Sequence, residues 1–100
     1  MKEVKYVAKY IKKPIPVEAW KLTYVSAKNK YPKFIQKGID DKKITIYIDD
    51  ESKEAVASLE TILSPIFIGE GTYIVQGPFK DFYPVDEKIF EETYTLYKSK

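Results

Sequence analysis

Apolar and polar residues alternate along much of this chain, and the alternation comes in short runs. Residues 5–11 place Tyr6, Ala8 and Tyr10 on one parity and Val7, Lys9 and Ile11 on the other, the period of two that marks a strand. Pro14 and Pro16 bracket Ile15; without N–H groups to donate, they mark a break, a bulge or an edge. Residues 17–23 read as a second strand, with Val17, Ala19 and Lys21 opposite Glu18, Trp20 and Leu22. Ile44, Ile46 and Ile48 alternate with Thr45 and Tyr47, the clearest strand pattern in the chain. The charged run Asp49-Asp50-Glu51-Ser52-Lys53 reads as a turn, and residues 55–63 as the hairpin partner. Helix is the competing reading there, because Glu54, Ala55, Ala57, Leu59 and Glu60 are good helix formers. Residues 66–68 form a short apolar strand or connector. Residues 72–76 and 80–83 read as strands, set off by turns at Gly69-Glu70-Gly71 and Gly77-Pro78, with Pro84 ending the second. Residues 93–97 are strand-like.

Two segments follow helical spacing. Within residues 26–38, Pro32 suits a first helical position, Phe34, Ile35 and Ile39 gather on one side, and Gly38 can stop the helix. The best-supported part is 31–37. Asp86 suits an N-cap for a short helix to about residue 92, with Ile89 and Phe90 turned inward. The sum is one α+β domain over residues 1–100: a mainly antiparallel twisted sheet or half-barrel carrying two short helices. Local hairpins favour this over a doubly wound α/β fold.

Composition fits that picture. One hundred residues leave no room for a second core. The 44% hydrophobic and 32% charged fractions are those of a folded chain. There is no Cys, so no disulfide can form, which favours a reducing cytoplasm. The first 13 residues carry a charge every few positions and no signal-type apolar stretch. Residues 62–68 are interrupted by Ser64 and Pro65 and are too short to span a bilayer. A soluble cytoplasmic protein with no membrane partner is expected. The net charge is +2, and all 17 basic residues are Lys. Without the planar fork of Arg, sequence-specific DNA readout is disfavoured.

The chemistry is sparse. With neither His nor Cys, the common nucleophile–base pairs and most zinc sites are excluded. No enzyme activity and no cofactor are expected. Asp40-Asp41 and Asp49-Asp50-Glu51 could hold a hard cation, but Lys42, Lys43 and Lys53 beside them favour solvated turns. Gly69, Gly71 and Gly77 match no phosphate-loop pattern and read as hairpin turns. Lys12 and Lys13 lie beside Tyr10, and Lys80 lies near Phe79 and Phe82. Lys can neutralise a phosphate while an aromatic ring stacks a base. On that basis Lys12, Lys13, Trp20, Tyr73, Lys80 and Tyr83 are the candidate ligand-binding residues. Nine Tyr are more than a core this small can hide, and the remainder would suit an oligomer or ligand surface.

Four blocks carry a resemblance. Lys12-Lys13-Pro14-Ile15-Pro16-Val17-Glu18-Ala19-Trp20 resembles an opening "RKKPVVIEAxxW/F" segment, and Tyr31-Pro32-Lys33-Phe34-Ile35 an "xPEWL" helix start. Glu70-Gly71-Thr72-Tyr73-Ile74-Val75-Gln76-Gly77 resembles "PGDYIVKG". Asp81-Phe82-Tyr83-Pro84 with Ile89-Phe90-Glu91-Glu92-Thr93-Tyr94 resembles "GEFYPCKPDIFEKTYE". In this order the blocks resemble a family of small uncharacterised phage and prophage proteins, over nearly the whole chain. Thr72 stands where that family has an acidic residue, Val85 where it often has Cys, and Asp86-Glu87 where it has "KP"; the stretch 49–64 is longer or rearranged. The fold is therefore expected to transfer, and pocket chemistry tied to those positions is not. The family has no settled activity, so no catalytic residues carry over.

The resemblance implies a phage accessory protein in the host bacterial cytoplasm, acting by stoichiometric binding. Its partner would be a host protein or a small nucleotide. It would inhibit or sequester a host factor, for instance as an anti-defence protein or a nucleotide-signal sponge, and homo-oligomers would be compatible with this. The alternatives are a structural or assembly component of the virion and, with less support, a metal-dependent enzyme around Asp40, Asp41, Asp49 and Asp50.

Overall fold

The structure is a computed structural model that describes residues 15–95. The elements run β1 (Glu18–Lys21), α1 (Tyr24–Ala27), α2 (Lys33–Asp40), β2 (Ile44–Asp49), β3 (Glu54–Leu59), β4 (Ile66–Ile68), β5 (Tyr73–Gln76), β6 (Phe82–Val85) and α3 (Glu87–Thr93). The fold is α+β, and every described strand pairing is antiparallel. The strands divide between two three-stranded sheets, β1-β5-β6 and β2-β3-β4. The strand read over residues 5–11 lies outside the described residues; the one read over 93–97 does not start as expected, because Thr93 is the last residue of α3 and residues 94–95 are not in a strand, while 96–97 lie outside the described residues.

Local chemistry explains where the elements stop. The single helix read over 26–38 is two. Thr23 caps α1 by accepting from the Ser26 N–H, while the Ser26 hydroxyl accepts from the Thr23 N–H, a reciprocal capping box. That short turn ends at Lys28, and α2 starts afresh after Pro32, which sits one position outside the helix. Gly38 does not end α2; the helix runs to Asp40, and Lys42 at φ 63° turns the chain back, its N–H reaching the Ile39 carbonyl. In β3, the alternation of buried Ala55, Ala57 and Leu59 overrides helix propensity. These residues pair with Ile48, Ile46 and Ile44 across the ladder. Pro84 does not end β6 but lies within it, opposite Ile74; β6 is an edge strand, where a missing N–H costs no ladder bond.

One core lies between the two sheets. Leu22, Phe34, Ile35, Ile44, Leu59 and Ile74 are its large members, with Trp20 and Phe82 packed against it. Gly38 sits where α2 meets both sheets. A Cβ built there would lie 2.6 Å from Ile44 Cδ1 in one sheet and 2.8 Å from Phe82 Cζ in the other. Glu70 makes a second joint. One carboxylate oxygen accepts from the Tyr24 N–H at the start of α1 (3.0 Å) and the other from the Ala55 N–H in β3 (2.8 Å). Among the described residues no helix is long and apolar enough to cross a membrane.

Candidate functional site

The register of β1, β5 and β6 sorts the candidate residues. Trp20 is opposite Ile74, and Ile74 opposite Pro84, so Trp20 shares the face turned to the core. There it meets Tyr31 edge-on, with ring centroids 5.5 Å apart. Tyr73 is opposite Lys21 on one side and Val85 on the other, and Tyr83 is opposite Val75. Tyr73 and Tyr83 therefore share the other face, the one that α3 covers, and Trp20 does not join them. Lys80 is exposed at the apex of the β5–β6 hairpin. Lys12 and Lys13 lie outside the described residues.

On the α3 face the aromatics form a ladder. Asp86 caps α3 by accepting from the Lys88 N–H. The helix then carries Phe90, and Tyr94 stands at its C-cap four residues on. Phe90 stacks on Tyr73 with centroids 3.8 Å apart, and on Tyr94 at 4.6 Å. Lys21 places its ammonium 5.9 Å from the Tyr73 ring centre and 2.6 Å from a Glu87 oxygen. The hydrogen bond to Glu87 holds the Lys21 pKa above its ordinary value, in spite of some desolvation. Burial pushes the Tyr83 hydroxyl up to about 12, helped by its hydrogen bond with Tyr94 and the nearby Asp81 charge. One face of Tyr73 is thus taken by Phe90. Ile89, read as inward, is 58% exposed.

The hairpin tip is built differently. The Gly77 N–H donates to the Asp81 carbonyl (2.9 Å) and the Lys80 N–H to the Gly77 carbonyl (3.1 Å), closing a tight turn. Lys80 adopts φ 67°, a left-handed conformation that a side-chain-bearing residue rarely takes. A Cβ on buried Gly77 would meet Asp81 Oδ1 at 2.8 Å and Tyr83 Cε1 at 3.3 Å, so the backbone has room only for glycine unless Asp81 moves. The turn holds Phe79 out of the fold, 88% exposed, with Lys80 and Asp81 following it in the chain.

The acidic clusters find local partners instead of converging. Asp40 accepts from the Gln36 amide, and Asp41 lies 3.5 Å from Lys37. Asp49 accepts from the Glu51 N–H, the first of several hydrogen bonds that hold its carboxyl below the ordinary range. Asp50 accepts from Lys28 (2.8 Å) and the Tyr24 hydroxyl (2.6 Å), which depress its pKa in that order. Lys28 and Lys53 both lie 5.4 Å from the centre of the Tyr24 ring. Among the described residues, no group of three or more Asp or Glu is placed to hold a metal ion.

Lys21, Phe79, Glu87, Phe90 and Tyr94 belong to this region but not to the residues chosen from the sequence. The spacing of Phe90 and Tyr94 on a capped helix was a usable signal. Lys21 becomes a neighbour of Tyr73 only through the β1–β5 pairing, which no local pattern reveals. The arrangement offers a rigid aromatic face, an exposed aromatic tip and paired charges, the materials of recognition. No family model matches the chain, and no curated protein or solved structure matches it.

Proposed function

We propose that this chain is a small phage accessory protein that acts by stoichiometric binding to a host protein, which it inhibits or sequesters, with the β5–β6 hairpin tip as its anchor. The single observation that carries the reading is Phe79: a large apolar ring, 88% exposed, on a turn closed by two backbone hydrogen bonds. Exposed aromatics are costly to leave in water, and binding energy concentrates in a few aromatic and basic anchors that fill pockets on a partner. A tip already fixed in shape loses little conformational freedom on docking. Lys80 and Asp81 beside it supply charge for orientation and encounter rate. The phage setting rests on the four resembling sequence blocks.

A protein fits this site better than a small nucleotide does. Trp20 and Tyr73 face opposite sides of their sheet, and Tyr73 already stacks on Phe90. The chosen aromatics therefore do not frame one slot for a base.

The test is native mass spectrometry of the tagged chain, purified gently from phage-infected cells. The expected result is a host protein bound in fixed stoichiometry, retained by wild type and lost from a Phe79→Ala, Lys80→Ala variant with an unchanged circular dichroism spectrum. A ligand of a few hundred daltons would move the reading to a nucleotide sponge. Presence in purified virions with no host partner would move it to a structural component.

A further inference from the structure

Charge is sorted along this chain to a degree that the net value of +2 conceals. Residues 1–39 carry ten Lys against two Glu, and residues 40–100 carry seven Lys against thirteen Asp or Glu, so the two parts stand at +8 and −6. Asymmetry on this scale between parts of one domain points to contact with a polyanion. From Ala19 to Ile39 there is no acidic residue, while Lys21, Lys28, Lys30, Lys33 and Lys37 all fall within that stretch.

The fold displays four of these lysines together. Lys28 is the C-cap of α1, Lys30 lies in the short connection, and Lys33 and Lys37 stand one turn apart on α2. Buried Phe34, Ile35 and Gly38 take the opposite side of α2 into the core. From Lys28 to Lys37 every exposed residue is Lys, Asn or Gln. Among the described residues neither Lys30 nor Lys33 has an ion-pair partner. Lys28 and Lys37 pair with Asp50 (2.8 Å) and Asp41 (3.5 Å), but both pairs are exposed, and exposed pairs are weak enough to exchange for another anion.

We infer that this face binds the phosphate backbone of a nucleic acid without reading its sequence. Lys supplies point charges that neutralise phosphates. Asn29 and Gln36 each give one amide N–H to an internal acceptor, Val25 and Asp40, and keep a second for a phosphate oxygen. No Arg is present to fork onto guanine. A protein partner is a poorer match, because Lys is depleted where protein interfaces are buried. A bilayer surface calls for apolar groups to insert, and from Lys28 to Lys37 none is exposed. The acidic majority of residues 40–100 repels phosphate and confines binding to the basic part of the chain. The inference stands apart from the hairpin tip, since none of the four lysines belongs to β5 or β6.

Fluorescence anisotropy of the whole chain with a short labelled DNA duplex of arbitrary sequence, and with an RNA duplex of equal length, tests this over a salt series. Each phosphate neutralised on duplex DNA contributes about −0.9 to the slope of log K against log salt, so four contacts give roughly −3.6 and a loss of affinity on the order of 100-fold between 50 and 200 mM salt. Lys30→Gln combined with Lys33→Gln should reduce the slope by about two and the loss to roughly 10-fold, with the thermal transition unchanged. Lys88→Gln, on α3 beside Glu87, is expected to leave the slope as it is. Binding to either duplex with this salt dependence supports the inference, and the tighter of the two names the source of the backbone. No binding to either at low salt would overturn it, as would a slope that the double variant leaves unchanged. Displacement of the duplex by polyglutamate of equal charge would overturn it in favour of an acidic protein.

Discussion

Phe90 lies flat on Tyr73, with ring centroids 3.8 Å apart and planes inclined by 9°. This contact fastens α3 to its sheet, and Tyr94 extends it at 4.6 Å. Val75 is fully buried on the same face. Replacing Phe90 with Ala removes both stacks and uncovers that face. The expected loss is about 2–3 kcal/mol, somewhat below the full cost of deleting a buried Phe because the ring is only half-buried. Phe90→Leu should lose less than half as much. Urea denaturation of the two variants checks the order.

Gly38→Ala reverses the usual sign of a helical glycine substitution. In an exposed helix the change gains ~1 kcal/mol. Here the new methyl would lie 2.6 Å from Ile44 Cδ1 and 2.8 Å from Phe82 Cζ, and Ile44 is itself buried. Overpacking of this kind costs about 1–3 kcal/mol. A lower denaturation midpoint is expected, with shifted methyl resonances from Ile44 if the fold is followed by NMR.

Glu70 is expected to be the most sensitive exposed carboxylate. It accepts from two backbone N–H groups on separate elements, Tyr24 and Ala55. Glu70→Ala leaves the partly buried Ala55 N–H without its acceptor, at about 1–3 kcal/mol. Glu70→Gln keeps one acceptor oxygen and should fall between. Amide exchange at Ala55 should accelerate in the same order. By contrast Asp50→Asn, at a solvent-exposed ion pair with Lys28, should change stability by less than ~1 kcal/mol.

Tyr83 predicts an alkaline signature. Its folded pKa, about 12, lies above the ordinary 10.0, chiefly through burial. Between those values the unfolded chain has released a proton that the folded chain still holds. Stability should therefore be intact below about pH 10 and fall as pH rises toward 12. Ultraviolet titration of tyrosinate should show a late-ionising component that is lost in Tyr83→Phe. If all tyrosines titrate together near 10, the described packing of Tyr83 is incorrect.

The residues that spoke clearly in the sequence were those whose neighbours are close along the chain. Ile44, Ile46 and Ile48 announced β2, the run 49–53 announced its turn, and Asp86 announced α3. What stayed hidden depends on distant pairing. Nothing local shows that β1 passes over the intervening strands to lie beside β5, so neither the division into two sheets nor the separation of Trp20 from Tyr73 could be read. Ile89 and Phe90 are adjacent apolar residues, and only the position of the sheet decides which turns inward. The exposed hairpin tip was obscured for another reason. Hydrophobicity alone marks Phe79 as core, whereas the turn that expels it depends on Gly77 and on the left-handed backbone of Lys80.

The order β1-β5-β6 also sets a folding sequence. The whole β2-β3-β4 meander lies in the chain between β1 and β5. The meander closes through short loops, whereas the β1–β5 ladder must close one long loop around it. Closure entropy makes distant pairings late. The meander should therefore act as the early nucleus, and β1 should lock last. On the way back, β1 is the strand whose release opens the core at Trp20 while the meander still stands.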